Sequence, residues 1–141
     1  MAEKGDSLKD TEDVDPFKEK AEQEIFANIA DTLARLDIKF DSYYNEHSLY
    51  EKGLVDDVVA KLREKGLVYD LDGAVWFKTT EFGQEKDRVI IKSTGEPTYR
   101  LPDIAYHREK LRRDFDWLVN IFGADHIATV PDVLAGIRAL G

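Results

Sequence analysis

The sequence predicts an α/β fold with a small, mainly antiparallel sheet in its middle. Apolar residues recur at helical spacing over 17–36, 54–62 and 133–140. Three short runs rich in β-branched and aromatic residues, at 67–69, 74–77 and 89–91, interrupt that period. Near the C-terminus a helix, an apolar run, a glycine turn and another helix follow one another, an order that builds α/β layers.

A chain of 141 residues holds one domain, or a piece of a larger one, with mass for a single core. With 43% apolar and 35% charged residues it belongs among folded chains, on their charged side. No apolar run approaches the ~18 residues of a membrane span, so no membrane partner is expected. The first ten residues lack the apolar stretch of a secretory signal. Without cysteine there is no disulfide, zinc–thiolate cluster or Cys nucleophile, which fits a cytoplasmic protein. A net charge of −9 argues against a broad basic face for DNA or RNA and leaves room only for a local basic patch.

Residues 1–14 hold only Leu8 and Val14 as branched apolar side chains and read as a flexible acidic lead-in. Asp15 suits an N-cap and Pro16 the first helical position. Phe17, Ala21, Ile25, Ile29, Leu33 and Leu36 then draw an apolar stripe down a helix of about five to six turns. Residues 38–41 read as a short extended piece. Ser48 and Glu51 have the spacing of a capping box, and Leu54, Val55, Val58, Val59 and Leu62 follow at helical spacing. Gly53 weakens the first turn of this helix, and Gly66 suits the position just past its end.

Asp72 and Gly73 signal a hairpin turn between the first two strands. Thr94 and Gly95 turn the third strand toward an extended Thr98, Tyr99 and Arg100. Pro102 and Asp103 open a helix that carries Ile104, Ala105, His107 and Leu111 and ends at Arg112, Arg113 and Asp114. Trp117, Leu118, Val119, Asn120, Ile121 and Phe122, closed by Gly123, have the pattern of a strand buried on both faces. After Pro131, the residues Val133, Leu134, Ile137 and Leu140 mark a last helix. One such strand does not make a parallel sheet, so this section reads as part of an unfinished one.

Phosphate-loop, dinucleotide-binding, nucleophile-elbow and H-E-x-x-H motifs are all absent. His47, His107 and His126 lie far apart, and a metal-dependent hydrolase built on His107, His126 and Asp125 has no short ligand spacing behind it. Two constellations remain. Tyr99 and Asp103 stand at a strand-to-helix junction. There a carboxylate could take a guanidinium in two charge-assisted bonds while a phenol stacks on it; equally, Asp103 could simply cap its helix. Gly123, Asp125 and His126 follow the apolar run, where ligands bind in α/β sheets; equally, they could form a tight turn. Trp76 and Trp117 read as core anchors. Arg108, Lys110, Arg112 and Arg113 read as a solvated helix end rather than a phosphate contact.

Taken in order, a long set of motifs is recognisable. It comprises Phe40, Asp41, Glu46, Ser48, Leu49 and Tyr50; Gly66, Leu67, Val68 and Tyr69; and Asp72, Gly73, Ala74, Val75, Trp76 and Phe77. Next come Thr79, Thr80, Glu81, Phe82 and Gly83, then Lys86, Asp87, Arg88 and Val89, then Thr98 and Tyr99. Pro102, Asp103, Ile104, Ala105, Tyr106 and His107 follow, and Gly123, Ala124, Asp125 and His126 close the set. Over 17–141 the chain resembles bacterial-type arginyl-tRNA synthetase.

The resemblance implies a class I aminoacyl-tRNA synthetase, which activates its amino acid with ATP and Mg2+ and passes it to tRNA. It implies a partial Rossmann-like nucleotide-binding catalytic domain carrying a small mixed α+β insertion with an antiparallel sheet. Residues 15–100 would be the insertion-type region and 101–141 the start of the second half of the nucleotide-binding fold. Tyr99 and Asp103 match the family's holders of the arginine side chain, and Gly123, Asp125 and His126 its ATP and aminoacyl pocket. The implied partners are L-arginine, ATP and arginine tRNA.

The His-Ile-Gly-His-like and Lys-Met-Ser-Lys-like signatures are absent from the sequence, and Ile127 replaces a second His that often follows Asp-His in the family. No catalytic residue and no protein-bound metal are therefore expected, nor tRNA charging by this chain alone. An exposed sheet edge would favour self-association. The alternative is a non-catalytic arginine-binding or protein-interaction module.

Overall fold

The structure is a computed structural model and describes residues 14–141. The expected lead-in therefore lies outside the described residues, except for Val14. The chain divides into two compact units, Met1–Tyr43 and Tyr44–Gly141.

In the first unit, α1 spans Asp15–Ala34 with a proline in its first turn. Its cap is Val14 rather than Asp15: Val14 is already close to helical dihedrals and its carbonyl accepts from the Lys18 N–H at 3.0 Å. The apolar stripe is there, but α1 buries none of its residues. The helix ends where Asp37 takes a positive φ of 56° and the Ile38 N–H returns to the Leu33 carbonyl at 2.9 Å. Residues 38–41 join no ladder. Tyr43 instead meets Phe26 and Phe40 edge-on.

The second unit opens with α2 (His47–Glu51) and α3 (Leu54–Glu64), parted by Gly53 at φ 64°. Gly53 thus ends one helix and starts the next, rather than merely weakening a first turn. The expected capping box does not form, because Ser48 is already inside α2. Asn45 does the capping: its Oδ1 accepts the His47 N–H at 2.9 Å. At the other end of α3, Gly66 sits at φ 68°. Its N–H bonds Arg63 O, and the Leu67 N–H bonds Leu62 O, both at 2.9 Å. That pair of bonds satisfies two terminal carbonyls and directs the chain into the sheet.

Strands β1 (Val68–Leu71), β2 (Ala74–Phe77) and β3 (Arg88–Ile91) form an antiparallel sheet in that order. Asp72 and Gly73 have φ of 52° and 75°, the paired positive values of a tight hairpin turn. A 3-10 helix at Thr79–Phe82 links β2 to β3. Asp87 holds it: one oxygen accepts the Thr80 N–H and hydroxyl, the other the Tyr69 phenol. Burial alone would raise the Asp87 carboxyl, and these donors outweigh it and hold it below its ordinary value.

Of the expected extended Thr98, Tyr99 and Arg100, only Thr98 pairs with the sheet, its N–H donating to Ile90 O at 2.8 Å; Tyr99 is already near helical dihedrals and Arg100 is in the helix. After Gly95 the chain makes one bridge, Ile91 to Pro97, and α4 (Arg100–Leu111) begins at once. Pro102 fits because first-turn amides need no helical partner. A short 3-10 helix, Ala124–His126, and α5 (Val130–Leu140) complete the unit. Leu49, Val58, Leu62, Phe77, Ile90 and Leu101 centre a core shared by α2, α3, the sheet and α4.

The run 117–122 is not a buried strand. Trp117 is 85% and Ile121 93% exposed, and no residue of 114–122 makes a backbone–backbone hydrogen bond to another described residue. Trp117 is no core anchor; Trp76 is partly buried and stacks on Tyr69. The composition of 117–122 suits a strand, but no neighbouring strand among the described residues offers this segment a ladder.

Candidate functional site

A cavity of about 250 Å³ opens between α4 and α5. Asp103 and His107 line one wall from α4, where a step of four residues stacks them on one face. Thr129, Val130, Val133 and Leu134, at the start of α5, line the opposite wall. Asn120, Phe122 and His126 close the rim.

Asp103 is half-buried. Burial pushes its carboxyl above the ordinary value, and His107, His126 and Lys110 pull the other way. Burial likewise pushes His107 and Lys110 below theirs. The His107 ring stacks on Phe122 with centroids 6.0 Å apart, and Phe122 meets His126 at 5.6 Å. Lys110 donates to Asn120 Oδ1 and approaches His107 Nε2 at 3.4 Å. The cavity thus has one carboxylate facing an apolar wall, with a stacked aromatic rim. That combination suits a cation carried on an apolar stem.

The remaining sequence candidates divide. Asp103 and His126 line the cavity; Tyr99, Gly123 and Asp125 do not. Tyr99 lies one helical turn before Asp103 and is 57% exposed, with the Arg100 guanidinium 4.7 Å above its ring. Gly123 follows no strand and has ordinary extended dihedrals; its missing side chain makes room for Asp125, whose Oδ1 would lie 2.5 Å from a Cβ. Asp125 points into solvent and sits 3.7 Å from His126 Nε2.

Six lining residues are not site candidates in the sequence: Asn120 and Phe122 read there as strand, Val133 and Leu134 as helix core, and Thr129 and Val130 carry no signal. The step from Asp103 to His107 was the available signal. The basic helix end is engaged within the fold: Arg108 pairs with Asp57, and Arg113 lies over the stacked Tyr44 and Tyr106 rings.

The carboxylate-walled cleft lies on a helix that leaves a small antiparallel sheet, and comparison with known proteins shows the family that carries it. The chain belongs to the family described as tRNA synthetases class I (R), catalytic domain, which matches residues 4–127. It is 70% identical over 139 residues to the arginine–tRNA ligase of Desulfotalea psychrophila, covering 99% of this chain and 25% of that protein. The arginine–tRNA ligase of Salinibacter ruber is 53% identical over 139 residues, with the same coverage. A Campylobacter jejuni crystal structure described as an arginyl-tRNA synthetase superposes with a TM-score of 0.80 at 35% identity, over 87% of this chain and 27% of that one. The chain thus spans about a quarter of the length of the relatives it matches. Among the described residues, no helix is long and apolar enough to cross a membrane.

Proposed function

We propose that this chain is the part of an arginine–tRNA ligase that holds the arginine side chain during ATP-dependent activation and transfer to tRNA. The half-buried Asp103 carboxylate on the cavity wall carries this reading. A guanidinium can meet it with two parallel bonds, which a lysine ammonium cannot match, and the apolar wall of Val130, Val133 and Leu134 suits a methylene stem. Tyr99 joins this reading because its ring already accepts a guanidinium face, that of Arg100. Asp103 neutralises and orients the side chain, and fixing one end of the substrate lowers the entropy cost of placing the other.

ATP and tRNA are substrates in this reading. Gly123, Asp125 and His126 border the nucleotide side. Magnesium enters this reading with the ATP phosphates. In the same reading 15–100 is the insertion and 101–141 opens the second half of the Rossmann-like fold, with 117–122 becoming a strand beside chain beyond this segment. In the isolated chain that segment is the surface for self-association. The cytoplasm, where translation runs, is the compartment.

The test is a two-dimensional amide NMR titration of the chain with L-arginine, against uncharged L-citrulline. Shifts around Asp103 and Tyr99 with arginine alone support the reading. Equal responses to both ligands, or an unchanged response in Asp103→Ala, sink it.

A further inference from the structure

Asp132 is 1% exposed and sits in the first turn of α5. Its carboxylate takes two guanidiniums side-on. Arg100 Nε, from the first residue of α4, donates to Oδ2 at 2.7 Å. Arg88 Nε, from β3, lies 3.1 Å from Oδ1 and 3.0 Å from Oδ2. One buried side chain therefore ties together the sheet and both helices that wall the cavity.

A second contact repeats this one a turn later. Ile104 packs where Gly136 has no side chain; a Cβ there would lie 2.6 Å from Ile104 Cγ1. From Arg100 to Ile104 and from Asp132 to Gly136 the step is four residues, one turn on each helix. Two contacts at matched steps fix the axial register of α4 against α5. Asp103 precedes Ile104 on α4, and the facing wall residues Val130, Val133 and Leu134 surround Asp132 on α5.

We infer that Asp132 is a positioning residue for Asp103: by pinning the start of α4 to the start of α5, it sets the register that turns the Asp103 carboxylate into the cavity. This rests on the reading that Asp103 receives the arginine guanidinium. At 1% exposure Asp132 cannot itself reach a ligand. A buried ion pair adds little net stability over a well-packed apolar substitute, so the role inferred for this one is to select a geometry rather than to stabilise the fold.

The experiment compares the wild-type chain with Asp132→Asn and Arg100→Lys, each at a temperature where circular dichroism shows it folded. Two readouts are taken: the NMR pH titration of the Asp103 carboxyl carbon, and L-arginine affinity. In the wild type, Asp103 faces His107, Lys110 and His126 and titrates above 3.8. In Asp132→Asn its midpoint falls back toward that value, and arginine binds about tenfold more weakly, in line with the cost of a small misplacement. Arg100→Lys keeps the charge but loses the side-on donor; it moves both readouts the same way by less, and decides the matter if Asp132→Asn does not fold. If the wild type binds no arginine while the Asp103 midpoint still moves, the guanidinium reading fails and the pin stands. An unmoved midpoint in folded variants, or wild-type arginine affinity in them, overturns the pin.

Discussion

His107 Nδ1 lies 2.8 Å from the carbonyl oxygen of Asp103, one turn back on the same helix. A carbonyl can only accept, so Nδ1 carries the proton and Nε2 is left with its lone pair, facing Lys110 Nζ. This is the neutral imidazole that burial favours. The stack on Phe122 holds the ring in that orientation.

Stability should fall as the pH drops through the range just below the ordinary histidine value. Burial depresses the folded pKa of His107, so on acidification the unfolded chain takes up its proton first, and linkage then favours unfolding. The contribution is complete above 6.5 and is lost toward the lower folded value. Asp103 acts with the opposite sign: its raised pKa costs stability while it is ionised, and that cost is relieved as the pH falls toward 3.8. Melting curves of wild type and His107→Gln should therefore diverge most between about pH 7 and pH 5, with the variant flatter. Parallel curves would contradict this assignment.

Gly136→Ala should destabilise the second unit. The new methyl would press on Ile104, which is buried and cannot retreat into solvent. Overpacking of this kind costs about 1–3 kcal/mol in urea unfolding. Shortening the neighbour in Gly136→Ala with Ile104→Val should recover part of the loss, whereas a glycine needed only for backbone freedom would show no such rescue.

Asp103→Asn should separate stability from recognition. The amide carries no charge to desolvate, so the variant should melt at or above the wild-type temperature at pH 7. It should also lose the arginine-specific NMR response, by about tenfold or more in affinity, because a charge-assisted fork is lost. Asp103→Glu keeps the charge but shifts the fork, and should retain a weak response.

Val119→Ser with Ile121→Ser should leave the chain's own stability within about 0.5 kcal/mol, since both side chains are exposed. Sedimentation velocity should show less self-association than in the wild type, because an unpaired apolar segment is an adhesive edge. Unchanged association would remove 117–122 as the contact.

Local chemistry made much of the architecture legible. Gly66 terminates a helix and Asp72–Gly73 turns a hairpin because each motif meets its hydrogen-bonding needs within a few residues. The helices opened by prolines at 102 and 131 were readable for the same reason. Of the residues the motifs single out, Asp103 and His126 line the cavity, whereas Tyr99, Gly123 and Asp125 do not.

Other features were decided only by tertiary structure. Ser48 had the right spacing for a cap, yet Asn45 took the role because the helix began earlier. Residues 117–122 carry a strand's composition, but a strand exists only when another backbone meets its amides and carbonyls. Arg88 and Arg100 lie 44 and 32 residues from Asp132, too far apart for any local pattern to link them. By itself the sequence determined which residues could turn, cap or carry charge. Which distant charges met, and which apolar run stayed bare, depended on the packing of α4, α5 and the sheet, because those interactions exist only between segments that folding brings together.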